Sequence, residues 1–441
     1  MNYPADFGIT FTKNKKSDGG MGKMLKSVKL LKLTSLVVTL ILILAVCGTA
    51  VSADRAENGE KTATECMSED LTEPLETGEY IETAATASGL ELNAKGAALI
   101  ECETGTVLYE KNSHERLAPA SVTKVMSLLL VMEAIDAGKL TLETKVTTSE
   151  HAASMGGSQI WLEPNEVMTV DELLRAAVIA SANDATVALA EAVSGSEEGF
   201  VAAMNARAAE LGAADCSFMN PTGLDAENHY MSAYDIAVIS AELLRHPLIK
   251  KYSTVWMDTL RDGKTGLVNT NKLVRFYEGT TGLKTGTTDK AGCCLSASAE
   301  RENLSVVAVV MGADTSKDRF ADARKLLDFA FANFERRTVE VDKASLLPIK
   351  VKGGLKSEIA VEAECKAELL LGKGMTDGLS QEVKLNKSIE APVKKGDKVG
   401  VCNIKYNGDI IKKVNISAAE GVERLKFASA LGCFFKEILR F

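Results

Sequence analysis

The sequence is poor in the residues from which most metal and nucleic-acid sites are built. Only 4 of its 441 residues are histidine, and none stands at a zinc-ligand spacing from cysteine. The 9 cysteines (Cys47, Cys66, Cys102, Cys216, Cys293, Cys294, Cys365, Cys402, Cys433) form an odd, scattered set without a Cys-x-x-Cys pair. They read as free thiols, not as a disulfide framework, a usage that in an exported chain suits reducing or anaerobic surroundings. No metal and no cofactor is expected. Excess basic charge is missing too: the formal net charge is −9, which argues against nucleic acid as a partner. A Gly-x-Ser-x-Gly elbow is lacking, which disfavours a Ser-His-Asp hydrolase. What remains is an ordinary globular composition, 46% hydrophobic and 25% charged. The length allows about two or three domains.

The one long apolar run lies near the N-terminus. Residues 1–32 are polar and basic, Leu33 to Val46 is nearly all apolar, and Val51-Ser52-Ala53 supplies a small-residue end. This is the layout of a secretory signal peptide over 1–53, cleaved after Ala53. The same residues allow an uncleaved signal anchor reaching Val51. Leu44-Ala45-Val46-Cys47 also resembles a lipoprotein processing box, with Val before the Cys a poor fit. A start at Met21 or Met24 would remove the long polar lead. Residues 54–88 are acidic and Thr-rich, and read as a disordered spacer.

Ordered structure is expected from Leu90, in a first domain over 89–336. Ala97 to Ile100 and Thr106 to Tyr109, around Glu103-Thr104-Gly105, read as a β-hairpin. Helical periodicity places helices at Val170 to Ala180, Ala185 to Val193, Phe200 to Leu211 and Ala233 to Arg245. Strand signals follow at Gly282 to Thr287, Cys294 to Ser298 and Leu304 to Gly312, with a closing helix from Arg319 to Phe334. The order predicts an α+β fold, an antiparallel sheet covered by helices, with distant parts of the chain supplying its two ends. Over 338–418 short alternating segments (Ser345 to Val351, Ser357 to Val361, Glu382 to Leu385, Lys398 to Tyr406) predict a separate all-β sandwich domain. Gly421 to Phe441 places Val422, Leu425, Ala428, Leu431, Phe435, Ile438 and Leu439 on one helical side. Charges interrupt it, so it predicts an amphipathic helix resting on a membrane surface, not a span.

The chemistry centres on Ala118-Pro119-Ala120-Ser121-Val122-Thr123-Lys124 and the apolar stretch after it. Pro119 favours an extended entry and Ser121 then opens a helix, so Ser121 and Lys124 project from one face. A hydroxyl beside an amine makes an activated nucleophile once the amine loses its proton. The pair alone is weak, because Ser-x-x-Lys arises by chance about once or twice in a chain of this size. Ser181-Ala182-Asn183, between two helices, offers a hydroxyl to relay a proton and an amide to fix Lys124; it is equally a set of good N-caps. Lys284-Thr285-Gly286 on a strand offers a cation and a hydroxyl for a carboxylate, with Gly286 allowing close backbone approach. A second copy, Lys264-Thr265-Gly266, follows Asp262-Gly263 and so belongs to a tight turn.

Ser-x-x-Lys, Ser-x-Asn and Lys-Thr-Gly, in this order on helix, loop and strand, form the motif set of penicillin-interacting serine enzymes. The chain resembles the low-molecular-weight penicillin-binding proteins, serine-type D-alanyl-D-alanine carboxypeptidases. Pro119 to Lys124, Ser181-Ala182-Asn183-Asp184-Ala185, Asn220-Pro221-Thr222-Gly223-Leu224, Asn269-Thr270-Asn271-Lys272-Leu273, Gly282 to Gly286 and Ala391-Pro392-Val393-Lys394-Lys395-Gly396 carry the likeness. The resemblance implies a β-lactamase/transpeptidase-like domain acting on peptidoglycan stem peptides ending in D-Ala-D-Ala, and inhibition by β-lactams. It makes Ser121 the nucleophile, Lys124 the base, Ser181 a proton carrier and Asn183 an orienting group. Lys284 and Thr285 would meet the terminal carboxylate, and the N–H groups of Ser121 and Thr287 the oxyanion. Arg319 would be a basic residue near that carboxylate. Family members often carry His where this chain has Thr287. A class A β-lactamase shares the plan but adds a Glu-x-x-Leu-Asn loop, and no such Glu lies between Ser181 and Lys284. A transpeptidase differs only in the acceptor. A non-enzymatic wall-binding protein is disfavoured by the complete motif set.

Overall fold

The computed structural model describes residues 90–426. The expected signal peptide and spacer lie outside them. Strands β1 (Gly96–Glu101) and β2 (Val107–Lys111) form the hairpin. Two small pairs follow, β3 (Lys145–Thr147) with β4 (Val167–Thr169) and β5 (Met257–Leu260) with β6 (Thr265–Val268). Then come β7 (Thr280–Thr288), β8 (Gly292–Arg301) and β9 (Leu304–Ala313). The main sheet is antiparallel in the order β2-β1-β9-β8-β7, so the first hairpin closes one edge and the Lys-Thr-Gly strand the other.

The continuous apolar run of β9 follows from burial on both faces. Val307, Val309 and Met311 face a large core shared with most of the helices, while Val306, Ala308 and Val310 face a second core. That second core is closed by the Ser316–Asn333 helix through Ala323, Leu326, Leu327 and Ala330, spaced three and four apart. The Lys124–Asp136 helix is different. Ten of its thirteen residues are buried, so it runs through the large core and meets solvent only in its last turn, carrying Lys124 inside with it.

Helices at Val170–Ile179, Asn183–Ser194, Glu197–Glu210 and Ala233–Leu244 agree with the periodicity. The entry to the nucleophile helix does not. Pro119 is helical (φ −88°, ψ −13°), Ala120 turns left-handed at φ 47°, and Ser121 sits in a 3-10 turn over Ala120–Thr123. The α-helix itself starts at Lys124.

A strand at Phe334–Val339 pairs along its whole length with Ala367–Gly372. The chain therefore enters the small domain at Phe334, ahead of the expected boundary at 336. Three sheets of two, three and four strands share one core around Ile349, Ile359, Val399, Ile404, Val414 and Ile416. Asp409–Ala418 is a full strand whose lysine-rich first half hides its inward alternation. Gly421 to Lys426 is extended, not helical: Val422 bridges Val393 and is buried in the small domain's core, and Arg424 bridges Gly354. A helix cannot begin at Gly421, and residues 427–441, which carry the rest of that expectation, lie outside the described ones. Among the described residues no helix is long and apolar enough to cross a membrane. The six described cysteines are all free.

Candidate active site

Three segments wedge the Ser121 turn into place. Gly286 lies against it so tightly that a Cβ there would come within 2.8 Å of Ser121 N and Pro119 O. Gly223, at φ 82°, passes beneath it, where a Cβ would fall 1.8 Å from Ala120 O. The loop carrying Gly223 is cross-braced, since Asn220 Oδ1 accepts from Thr222 N, Thr222 Oγ1 and Gly223 N. Ser127 Oγ donates to Pro221 O at 2.6 Å. His229 Nδ1 accepts from Met219 N, so Nε2 carries the hydrogen and donates to Thr123 Oγ1 at 2.8 Å. Burial holds that imidazole neutral, its pKa pushed down to about 4.

Lys124 is fully buried. Its Nζ lies 2.6 Å from Asn183 Oδ1, 2.7 Å from Thr222 O and 3.1 Å from Ser121 Oγ. Its pKa is held well below the usual amine range, by burial first and by the Lys284 charge second, against the opposing field of Asp184. A neutral amine has two N–H groups and one lone pair. The two carbonyl oxygens can only accept, so they take the hydrogens and the lone pair is left for the Ser121 hydroxyl. That is the arrangement a general base needs.

Ser181 is not a cap. The N-cap of the Asn183–Ser194 helix is Ala182, and Ser181 stands before it at φ 62°, its Oγ accepting from Lys284 Nζ at 2.8 Å. Lys284 is 1% exposed, and burial together with the Arg319 charge brings its pKa down to about 7. Thr285 Oγ1 donates to Thr270 Oγ1 at 2.6 Å. Asn183 Nδ2 donates to Gly156 O at 2.7 Å, which leaves its Oδ1 for Lys124. Ser121, Lys124, Ser181, Asn183, Lys284, Thr285, Gly286 and Thr287 thus come from three distant segments into one cluster.

Arg319 touches the cluster at Gly286 and Thr287. It is 7% exposed, and its Nη1 donates to Gly286 O, Thr287 Oγ1 and Cys294 O, so it grips β7 and β8 from the second-core side. Its Nη2 donates to Ser316 Oγ at 3.3 Å, and its buried Nε has no partner among the described residues. Two contributors had been seen in sequence without a role. Thr222 gives a backbone carbonyl, which no side-chain pattern announces, and Thr270 gives a hydroxyl that reaches Thr285 only through the fold. The second Lys-Thr-Gly copy is elsewhere: Lys264 is exposed in the β5–β6 turn, where Arg261, Asp262 and Gly263 all have positive φ.

The sequence model of the D-alanyl-D-alanine carboxypeptidase family matches residues 82–315. The chain belongs to this family. The model of the penicillin-binding protein 5 C-terminal domain matches residues 334–424, the small β domain. The D-alanyl-D-alanine carboxypeptidase DacF of Bacillus subtilis is 48% identical over 349 residues, 78% of this chain and 90% of the relative. Penicillin binding protein 5 from Haemophilus influenzae superposes with a TM-score of 0.66 at 32% identity, over 76% of this chain and 98% of that one. Penicillin-Binding Protein D2 from Listeria monocytogenes, solved in an ampicillin-bound form, gives 0.51 at 31% identity over 55% of this chain and 98% of its own. The carboxypeptidase is accordingly a serine-type hydrolase of the penicillin-binding protein class, with a transpeptidase-like α+β domain followed by a β-rich domain. Its substrate, a peptide ending in D-alanyl-D-alanine, belongs to the wall outside the cytoplasm.

Proposed function

We propose that Ser121 is the nucleophile and Lys124 the base of this carboxypeptidase, and that β-lactams acylate the same hydroxyl. The Lys124 environment carries the reading, because two carbonyl oxygens claim its hydrogens and Ser121 Oγ lies at the remaining position. Ser121 Oγ attacks the carbonyl carbon between the two terminal D-alanines while its proton passes to Lys124 Nζ. The oxyanion settles between the N–H groups of Ser121 and Thr287. Ser121 lies in the first turn of a helical segment, where N–H groups lack an intrahelical acceptor. The C–N bond breaks as Ser181, held by Lys284, gives its proton to the leaving amine and is resupplied with the one Lys124 took from Ser121, so that D-alanine departs and Lys124 is again neutral. Water then hydrolyses the ester and restores Ser121 and the shortened peptide. Lys284 and Thr285 receive the terminal carboxylate, with Arg319, bonded to Gly286 O and Thr287 Oγ1, as the basic residue near it.

Ser121→Ala is expected to abolish both D-alanine release from a pentapeptide and labelling by penicillin. Mass spectrometry of the penicillin-treated protein should place the adduct on Ser121, and an adduct elsewhere overturns the assignment. Rapid turnover of penicillin, in place of a long-lived acyl-enzyme, would make the chain a β-lactamase.

Export through the segment ending at Ala53, and docking on a membrane surface through 427–441, complete the proposal. The latter rests on the spacing of Ala428, Leu431, Phe435, Ile438 and Leu439. Deleting 427–441 is expected to release the mature enzyme into the soluble fraction of fractionated cells. Retention with the N-terminus cleaved rules the segment out as the anchor.

A further inference from the structure

Next to the Ser-x-Asn loop lies a carboxylate to which the mechanism gives no role. Asp184 is fully buried and makes no ion pair among the described residues. Its oxygens accept from Ile160 N at 3.1 and 3.2 Å, from Leu162 N at 3.0 Å and from Ala185 N at 2.9 Å. It stands at the second residue of the Asn183–Ser194 helix, where free N–H groups and the helix dipole favour an anion. The stretch it grips is held from the other side by Arg261. That guanidinium donates to Ile160 O at 2.8 Å, to Trp161 O at 3.3 Å and to both oxygens of Glu166 at 2.7 and 2.9 Å. Between the two grips Trp161 is left-handed at φ 55° and 72% exposed.

The same stretch is also fastened to Asn183. Asn183 N donates to Ser158 O, and its Nδ2 to Gly156 O, both at 2.7 Å. Gly157 packs so closely that a Cβ would sit 2.8 Å from Asn183 Nδ2. Residues 156–162 therefore form a splint: one end orients the Asn183 amide, the other is clamped between the Asp184 carboxylate and the Arg261 guanidinium. If the clamp loosens, the amide can rotate, and Lys124 loses the acceptor that leaves its lone pair facing Ser121.

We propose that Asp184 and Arg261 are positioning residues for acylation, acting through the 156–162 splint and Asn183 on the Lys124 amine. Neither touches substrate. Asp184 has a second effect that Arg261 lacks, because its negative charge faces Lys124 from inside the protein. The charges around the amine are Lys284 on β7 with Arg319 behind it, and Asp184 on the helix. Arg261, Glu163 and Glu166 lie beyond the splint. Asn183, Thr222 and Ser121 contribute no net charge. Removing the Asp184 charge makes Lys124 easier to deprotonate, whereas removing Arg261 leaves that field in place.

The proposal rests on Lys124 as the base, and the test separates the two. The second-order rate of acylation by a fluorescent penicillin is followed from pH 5 to 10 for the full chain, Asp184→Asn and Arg261→Met, with thermal melts as folding controls. Arg261→Met should lower the plateau rate about tenfold and leave the midpoint of the acid limb in place. Asp184→Asn should lower the plateau at least as much and move the acid limb to lower pH. A plateau within twofold of wild type in Arg261→Met overturns the splint, even if Asp184→Asn fails to fold. An unmoved acid limb in a folded Asp184→Asn overturns the electrostatic part. If wild type itself shows no acid limb, or its adduct is not on Ser121, the underlying reading fails and not this one.

Discussion

The carboxypeptidase contains one tripeptide twice, and the two copies share nothing but sequence. In Lys284-Thr285-Gly286 the lysine is 1% exposed on an edge strand, its amine 2.8 Å from Ser181 Oγ. In Lys264-Thr265-Gly266 the lysine points to solvent from a left-handed turn, and its neighbours serve the Arg261 clamp. A lysine at the surface keeps its charge at no cost and supplies no directed field. A lysine taken out of water is costly to ionise, and for that reason its proton can be moved by its surroundings. Chemistry resides in the burial, not in the letters.

The sharpest way to break the comparison is to remove both amines in turn. Lys284→Met should reduce kcat/KM for D-alanine release about 10³-fold, the scale of losing one preorganised electrostatic group. Lys264→Met should leave it within about twofold, as expected of an exposed turn. Comparable losses in the two would mean that the 264 copy also meets substrate. The glycines offer the next largest contrast. A Cβ at Gly286 meets Ser121 N at 2.8 Å and Ala120 Cβ at 2.9 Å, whereas at Gly266 nothing lies within 4 Å. Gly286→Ala should displace the nucleophile turn and slow penicillin acylation about 10²-fold. Gly266→Ala should acylate at the wild-type rate, and a slow Gly266→Ala would contradict the open space around it.

The contrast also explains what could be read from the chain beforehand. Turn chemistry at Asp262-Gly263 was enough to set the first copy aside, because a tight turn is local. The sheet was legible for a similar reason, since Leu304 to Gly312 is apolar but for Ser305 and only a strand buried on both faces needs that. The nucleophile turn was misread as an extended Pro119 followed by a helix. Its left-handed Ala120 depends on Gly223 and Gly286, which arrive from about 100 and 165 residues away. The bonds of Arg319 to Gly286 O and Thr287 Oγ1 were hidden for the same reason: its position in the chain says nothing about which side of β7 the guanidinium reaches. Thr222 contributes a carbonyl, and backbone acceptors leave no signature in side-chain pattern. Asp184 sat inside a quoted motif, yet its role emerges only once Ile160 and Leu162 are seen to converge on it.

A smaller effect is expected at the threonines. Thr285→Val removes a buried hydroxyl placed beside Thr270, and should raise KM about tenfold with kcat less affected. Thr265→Val removes only a 3.0 Å acceptor for Arg261, and its KM should stay within about twofold. A kcat loss in Thr285→Val without a change in KM would assign that hydroxyl to the chemical step instead of carboxylate binding.

The two lysines differ last in what they do to stability. Lys284 has a folded pKa of about 7, below the 10.5 of the exposed amine. Between those values the unfolded chain binds the extra proton, so stability rises with pH across that window. Below about pH 7 both states are protonated, and the folded state bears the whole cost of the buried charge, on the order of a few kcal/mol. Lys284→Met should therefore raise the thermal midpoint at pH 6 while destroying activity, and the gain should shrink as pH approaches 10.5. Loss of the 2.8 Å contact to Ser181 offsets part of the gain. Lys264→Met, at an exposed turn, should shift the midpoint little at either pH. A Lys284→Met protein that melts below wild type at pH 6 would mean that the site's hydrogen bonds outweigh desolvation, and that the fold does not oppose the charge its chemistry requires.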